Sequence, residues 1–521
     1  MAQSREAGTL TAEVEVRPAH LRALLCLSEA RHLSRYFRQA RGADYLWPGF
    51  DFGGVPVCIY LDGVDALLVQ HPDPPGEFQG VELPIPGLED VAVSYARGPL
   101  PYLPAVGSVA IGGHLTATLP LPVFSPEAVP EGLVVALIHE AFHAFSASCR
   151  RRVPDLSMLS RYPELSATNN ALGNLEGLIL HDILLESLVG APPAAVAATA
   201  ASSGAAYHFC LVRRERRGPL DEAVVQYEQD LEADEGRARY VQTRSLLGAL
   251  PGCPAANAPP YLPGPAFQAL SGREAYDRAP ELITERIAKL RRINVNAAGA
   301  AWWRSFHTGM ALALFADYLD PDWKRRVDAG QSLDAVIERG LVYDGGSGDE
   351  RELELVKTRY GYDERLVAER EFSRREKRRK EGLVATLLAG SGQRVTFDVS
   401  SLMAEEEGEA SSRFSLVWDP AAVEIITQNV RIHRRGLRFI GFGTDLAFQG
   451  VPVVEDLKNR LFHVSVRAER LGVEGDGRAQ PIFRPAEFAE GLEVSLPGVV
   501  ARATSGFVQN TGGTLYIKIT R

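Results

Sequence analysis

Apolar and polar positions along the chain divide it into a helical stretch and a later extended one. Leu21, Leu24, Leu25 and Leu33 recur near the helical period, so the first 45 residues read as one or two helices. Glycine and proline then punctuate the chain, and Val55–Tyr60 and Ala66–Val69 read as short strands. Residues 72–104 are rich in Pro and Gly and read as loop with short extended pieces. Residues 107–122 alternate well enough to predict a hairpin turning at Gly112–Gly113. Pro130 and Glu131 suit a helix start and predict a helix to about Cys149. Further helices are expected at about 164–189, 220–248, 279–293 and 307–318, with a Pro-rich loop at 250–264. Arg and Glu interleave at helical spacing over 364–381, as in a solvated, ion-paired helix.

After residue 383 the pattern switches. Val395–Val399, Phe414–Trp418, Val430–His433, Leu437–Phe442, Leu461–Val466, Leu492–Leu496 and Thr514–Ile519 read as strands between Gly-containing turns. The expected fold class is α+β. A mostly helical domain with a small mixed sheet spans 1–382, with a possible N-terminal subdomain at 1–125, and a small all-β domain spans 383–521. Trp418, His433 and Phe439 are candidates for a binding face on the β domain, and core packing is the ordinary role of such residues.

Composition narrows the class of protein. The chain has 521 residues, 45% hydrophobic and 23% charged, which suits a globular protein rather than a disordered or fibrous one. A net charge of -10 repels phosphate backbones, so no nucleic-acid partner is expected. Cys26, Cys58, Cys149, Cys210 and Cys253 are scattered and form no CxxC pair, which argues against a disulfide framework and a thiolate zinc site. No apolar run of signal-peptide or membrane-spanning length is seen, so a cytoplasmic location and no membrane partner are expected. Oligomeric state cannot be read from the chain.

The chemistry is concentrated in Leu137-Ile138-His139-Glu140-Ala141-Phe142-His143-Ala144-Phe145. On a helix, His139 and His143 stand one turn apart on one face, and two imidazoles so placed can bind one zinc ion. Glu140 follows the first histidine and reaches the water on the metal, where a general base is needed. A catalytic zinc usually takes a third protein ligand. No HExxHxxGxxH continuation exists, because Cys149 stands six residues after His143. Two glutamates on predicted helices remain as candidates, Glu176 in LEGLIL and Glu235 in ADEGRARYV.

HEAFHAF followed by EGRARYV resembles the gluzincin side of the peptidase MA group of zinc metallopeptidases, where E-G-x-A-x-Y follows HExxH. The resemblance covers two helices, some 40 residues. It implies a zincin-like catalytic domain with His139, His143 and Glu235 as zinc ligands, Glu140 as base, and Glu176 as the alternate third ligand. Gly236 and Ala238 match the small residues that let the two helices approach, and Tyr240 matches the aromatic. Two departures stand out. The separation from His143 to Glu235 is long, and Arg239 occupies the position where thermolysin-type members carry an Asp bonded to a zinc histidine. The outer partner is then expected from Glu232 or Glu228.

The expected activity is hydrolysis of a peptide or protein substrate by a zinc-activated water, with Glu140 carrying the proton to the leaving amine. Two alternatives stand beside it: a zinc-binding scaffold without turnover, and a zinc hydrolase of a non-peptide amide. An oxyanion donor is sought among His307, His208 and His181, with His307 favoured for its position at a predicted helix start. The 107–122 hairpin is the candidate edge for pairing with an extended substrate, and the 250–264 loop a candidate border of the cleft.

Overall fold

A computed structural model describes residues 17–61, 63–98, 100, 107–149, 154–188, 204–250, 259–293, 300–341, 349–389, 392–403, 414–418, 423–434, 436–466, 472–475, 478–479, 486–488, 491–511 and 514–520. The fold is mixed α and β, with helices in the middle and a β-rich C-terminal region.

The first described element is helix α1 (Pro18–Ala40), which is followed by a mixed sheet. Its strands are β1 (Val57–Leu61), β2 (Asp65–Val69), β3 (Gln79–Val81), β4 (Val93–Arg97), β5 (Gly107–Ile111) and β6 (His114–Pro120), in the order β3-β4-β2-β1-β6-β5. β1 and β6 run parallel, and every other pair is antiparallel. The expected hairpin is β5–β6, turning at Gly112 and Gly113, both at positive φ. Among the described residues β5 pairs with β6 alone and forms the sheet edge.

Helix α2 (Pro130–Ser148) packs on β5 and β6 and carries the HExxH motif. It is followed by α3 (Ala167–Leu188), α4 (Ala205–Arg217), α5 (Glu222–Leu231) and α6 (Arg237–Ala249). A π turn over Glu232–Gly236 joins α5 to α6. Then come α7 (Pro265–Ser271), α8 (Ala279–Ala288), α9 (Ala300–Leu319), α10 (Trp323–Asp328), α11 (Leu333–Leu341), α12 (Asp349–Arg359) and α13 (Tyr362–Leu388). α13 contains the Arg/Glu-interleaved stretch, and more than half of its residues are exposed, with Glu376 and Lys380 buried. One apolar core, including Trp47, Ile138, Phe142, Ile179, Tyr240 and Leu314, joins α1, the sheet and helices through α12.

From Gln393 onward the chain forms two sheets, one of eight strands and one of seven. They share one core, with Phe397, Val464 and Ile517 from one sheet against Phe439, Leu446 and Val494 from the other. Alternating inward positions in strands such as Leu492–Leu496 and Thr514–Thr520 supply much of that core, as in a sandwich. Phe439 is core and also lines a small cavity with Val399, Leu416 and Phe462, whereas His433 is buried with its Nε2 2.8 Å from Glu455 Oε2. The Trp418 side chain lies outside the described residues. The β region docks on the helical part through Val423 and Ile425, which pack with Leu159, Tyr162, Val224 and Tyr227. Glu424 holds Arg434 at 2.5 Å and also pairs with Arg379 of α13. No helix among the described residues is long and apolar enough to cross a membrane.

Candidate metal centre

Two helices bring the site together. α2 is apolar around nearly its whole circumference and is buried against the sheet and α6, so His139 and His143 meet a protein wall rather than solvent. Opposite them the π turn presents Glu235. Its position is set by a close helix crossing: a Cβ on Gly236 would stand 2.5 Å from the Gly309 Cα of α9. Gly236 therefore permits approach to α9 rather than to α2, which corrects the role inferred from the motif. Ala238, fully buried on α6, lies against His139 through its backbone carbonyl. Tyr240 turns away from the site. Its hydroxyl donates to Asp317 at 3.0 Å, and its ring packs on Trp47 and Trp323.

His139, His143 and Glu235 form one group able to hold a metal ion. The two Nε2 atoms stand 3.2 Å apart, and Glu235 Oε2 lies 3.4 Å from His143 Nε2 and 3.7 Å from His139 Nε2. Donors each about 2.0–2.1 Å from a tetrahedral ion stand about 3.3–3.4 Å from one another, so this triangle fits the face of such a site. The side chains are 10%, 13% and 12% exposed, so the group is enclosed but not sealed. Glu140 Oε1 lies 4.0 Å from His139 Nε2, beside the triangle rather than within it.

The electrostatics are those of a dry site with crowded charge. Burial holds His139 well below the usual imidazole range, with His143 and Arg239 adding to the effect. Burial also opposes charge on His143, but the carboxylates of Glu235 and Asp234 outweigh it and raise this ring well above the usual range. Burial pushes the Glu140 carboxyl up to about 7, assisted by Glu235 and Asp234 and opposed by His143. The outer partner of His143 is Asp234, whose Oδ1 is 3.5 Å from Nδ1. The buried Nδ1 of His139 makes no hydrogen bond of good geometry, although the Ala238 carbonyl is near enough to favour the protonated ring.

Other expected residues lie elsewhere. Glu176 on α3 is fully buried, with Arg216 Nε at 2.6 Å and Arg213 at 3.0 Å, so its carboxylate is committed to guanidinium groups and is not the third ligand. Glu228 and Glu232 belong to the same ionic network and not to the histidines. His307 lies inside α9, well past the helix start at Ala300, and its ring stacks on Trp303. The ring that flanks His139 is its neighbour Phe306, with centroids 5.7 Å apart. His181 pairs with Asp182 and His208 with Glu352, at 3.2 and 2.8 Å. The described part of the Pro-rich loop is tied to α1, where Tyr36 and His32 bond the Pro259 and Leu262 carbonyls. Residues 251–258 and Cys253 lie outside the described residues.

Sequence reasoning missed Asp234, although it directly precedes Glu235. Successive residues of an α-helix point about 100° apart, which argues against both facing one imidazole. The π turn widens the helix at this point and brings both carboxylates to His143. Arg286, on α8 against α6, was also missed because its segment reads as an ordinary exposed helix.

No protein-family model, curated protein or solved structure matches the chain.

Proposed function

We propose that the chain is a zinc-dependent metallopeptidase of gluzincin type with a zincin-like catalytic domain. The observation that carries this reading is the combination, among the described residues, of three protein donors rather than four with a buried carboxylate beside them that is not a donor. His139, His143 and Glu235 would hold the ion, and Asp234 would fix the His143 ring. Zinc held there supplies Lewis acidity that lowers the pKa of water toward about 7 and polarises a carbonyl. Glu140 takes a proton from the attacking water and returns it to the leaving amine. Phe306, whose ring flanks His139, shields that side of the site from bulk water. Edge strand β5 beside α2 offers main-chain groups to an extended peptide.

The deciding experiment is Glu140→Gln in the full chain. The expected result is one zinc per chain, as in wild type, with turnover of a mixed peptide library abolished. Wild type that retains zinc but cleaves no library member would favour the non-catalytic scaffold instead.

A further inference from the structure

Beside the metal centre Arg286 is buried and Arg239 half-buried, and among the described residues no carboxylate is bonded to either guanidinium. Arg239 follows Glu235 by one helical turn, and its Cζ sits 4.8 Å over the Phe306 ring that flanks His139. Its Nη1 donates to Gln242 at 2.6 Å, and its buried Nε has no partner. Arg286 is 5% exposed and donates to Thr243 Oγ1 at 3.3 Å. Thr243 lies one turn beyond Arg239 on α6, so both arginines occupy the α6–α8 seam. Glu285 and Glu235 are the carboxylates whose charge reaches Arg239, and Glu285 also reaches Arg286, but neither makes an ion pair with them among the described residues. Glu285 is bonded to Lys289 at 2.9 Å and is largely exposed. Burial depresses both guanidinium groups, Arg239 to about 10, and the field of both reaches His307, whose Nδ1 is buried without a partner.

Two neighbouring like charges, one buried and one half-buried with its Nε shut off from water, are unfavourable in the folded chain by itself when their described hydrogen-bond partners are neutral. An anion entering the site from solvent would relieve the arrangement, and a planar carboxylate matches the donor fork of a guanidinium.

We propose that Arg239 and Arg286 form a carboxylate subsite beside the metal centre, so that the substrate is a peptide carrying a carboxylate next to the scissile bond. This rests on the metallopeptidase reading. The carboxylate is either the free C-terminus, which makes the enzyme a carboxypeptidase, or an Asp or Glu side chain on the leaving side.

Three matched peptides separate these sources: one with a free C-terminus, one amidated, and one amidated with Glu after the scissile bond. Zinc-loaded wild type is expected to cleave at least one carboxylate-bearing peptide about 10- to 100-fold faster in kcat/KM than the plain amide. Arg286→Met is expected to remove that preference, bringing kcat/KM for the carboxylate-bearing peptide down to that of the plain amide. Arg286→Lys, which keeps the charge and loses the fork, is expected to fall between them. Equal cleavage of all three peptides by wild type overturns the subsite and leaves the peptidase reading intact. A uniform drop across the three peptides in Arg286→Met also overturns it, since that pattern belongs to an oxyanion donor. If no peptide is cleaved, calorimetry with N-acetylphenylalanine and its amide still decides the subsite. Tighter binding of the acid by wild type, lost in Arg286→Met, supports it. Equal binding of acid and amide, or acid binding undiminished in Arg286→Met, where the metal alone would hold it, refutes it.

Discussion

One continuous helical run, residues 222–249, carries two buried charged clusters that are built in opposite ways. On one side Glu228 and Glu232, with Glu176 and Asp334, surround Arg213, Arg216 and Arg217. Each charge there has an opposite charge within bonding distance, and Thr308 and Asn169 fill remaining positions at 2.7 and 3.1 Å. On the other side Glu235 faces two histidines, and among the described residues Arg239 and Arg286 bond neutral partners only. The first cluster is internally satisfied and ties α3, α4, α5 and α11 together. The second keeps unmet hydrogen-bonding and charge, which a fold tolerates where a ligand completes them. Burial of charge alone does not mark a functional site; the balance of partners does.

The largest effect that can break this comparison is expected in the satisfied cluster. Arg216→Met leaves Glu176 and Glu228 short of counter-charge in the interior and should cost about 3–5 kcal/mol, read as a large drop in melting temperature. A change of under about 1 kcal/mol would show the network to be expendable.

Glu29 on α1 tests how strongly a lone buried carboxyl responds to pH. It accepts bonds from Gly264 N–H at 3.0 Å and Tyr276 at 3.1 Å, and also from Tyr261, yet burial pushes it up to about 7. An unfolded Glu titrates near about 4.3. Between these values the folded chain binds more protons than the unfolded one, so stabilisation present below about pH 4.3 is lost as pH rises through about 7. The whole swing is about 4 kcal/mol, and Glu29→Gln should flatten it in melts recorded from pH 5 to 8. Parallel pH profiles of wild type and variant would contradict this.

Gly236→Ala should push α9 off the π turn and cost about 1–3 kcal/mol. Because Glu235 is its neighbour, zinc affinity should fall with it, and a variant with full zinc affinity would uncouple the crossing from the site.

The smallest expected effect has the opposite sign. Arg286→Met removes an uncompensated buried charge and should leave the melting temperature unchanged or raised by up to about 1 kcal/mol of stability. A loss as large as that of Arg216→Met would erase the distinction between the clusters.

The pattern of the sequence reached some of this architecture and stopped at identifiable places. Helix α2 was legible because proline and an acid mark its start and its apolar positions are dense. The β5–β6 hairpin was legible because Gly112–Gly113 interrupts an alternating run. Strands Phe414–Trp418, Val430–His433 and Leu461–Val466 were placed to the residue by period-two alternation. Val499–Ala503 and Ser505–Thr511 were missed, because Arg502 and the small polar residues dilute that signal. Helix α4 was missed for a different reason. Arg213 and Arg216 read as solvent-facing, whereas both are buried against carboxylates, so hydrophobic periodicity fails where the core is ionic. In the site, His139, Glu140 and His143 were legible from spacing and Glu235 from a motif. Asp234 and Arg286 were not, because a local π turn and a long-range helix contact placed them there.

X-ray absorption at the zinc edge of the zinc-loaded full chain tests the central claim most directly. The predicted spectrum has two imidazole nitrogens at about 2.0–2.1 Å, one carboxylate oxygen at about 2.0–2.2 Å and one water, with one zinc per chain. An unchanged spectrum in Glu235→Ala, or four protein donors in wild type, would contradict it.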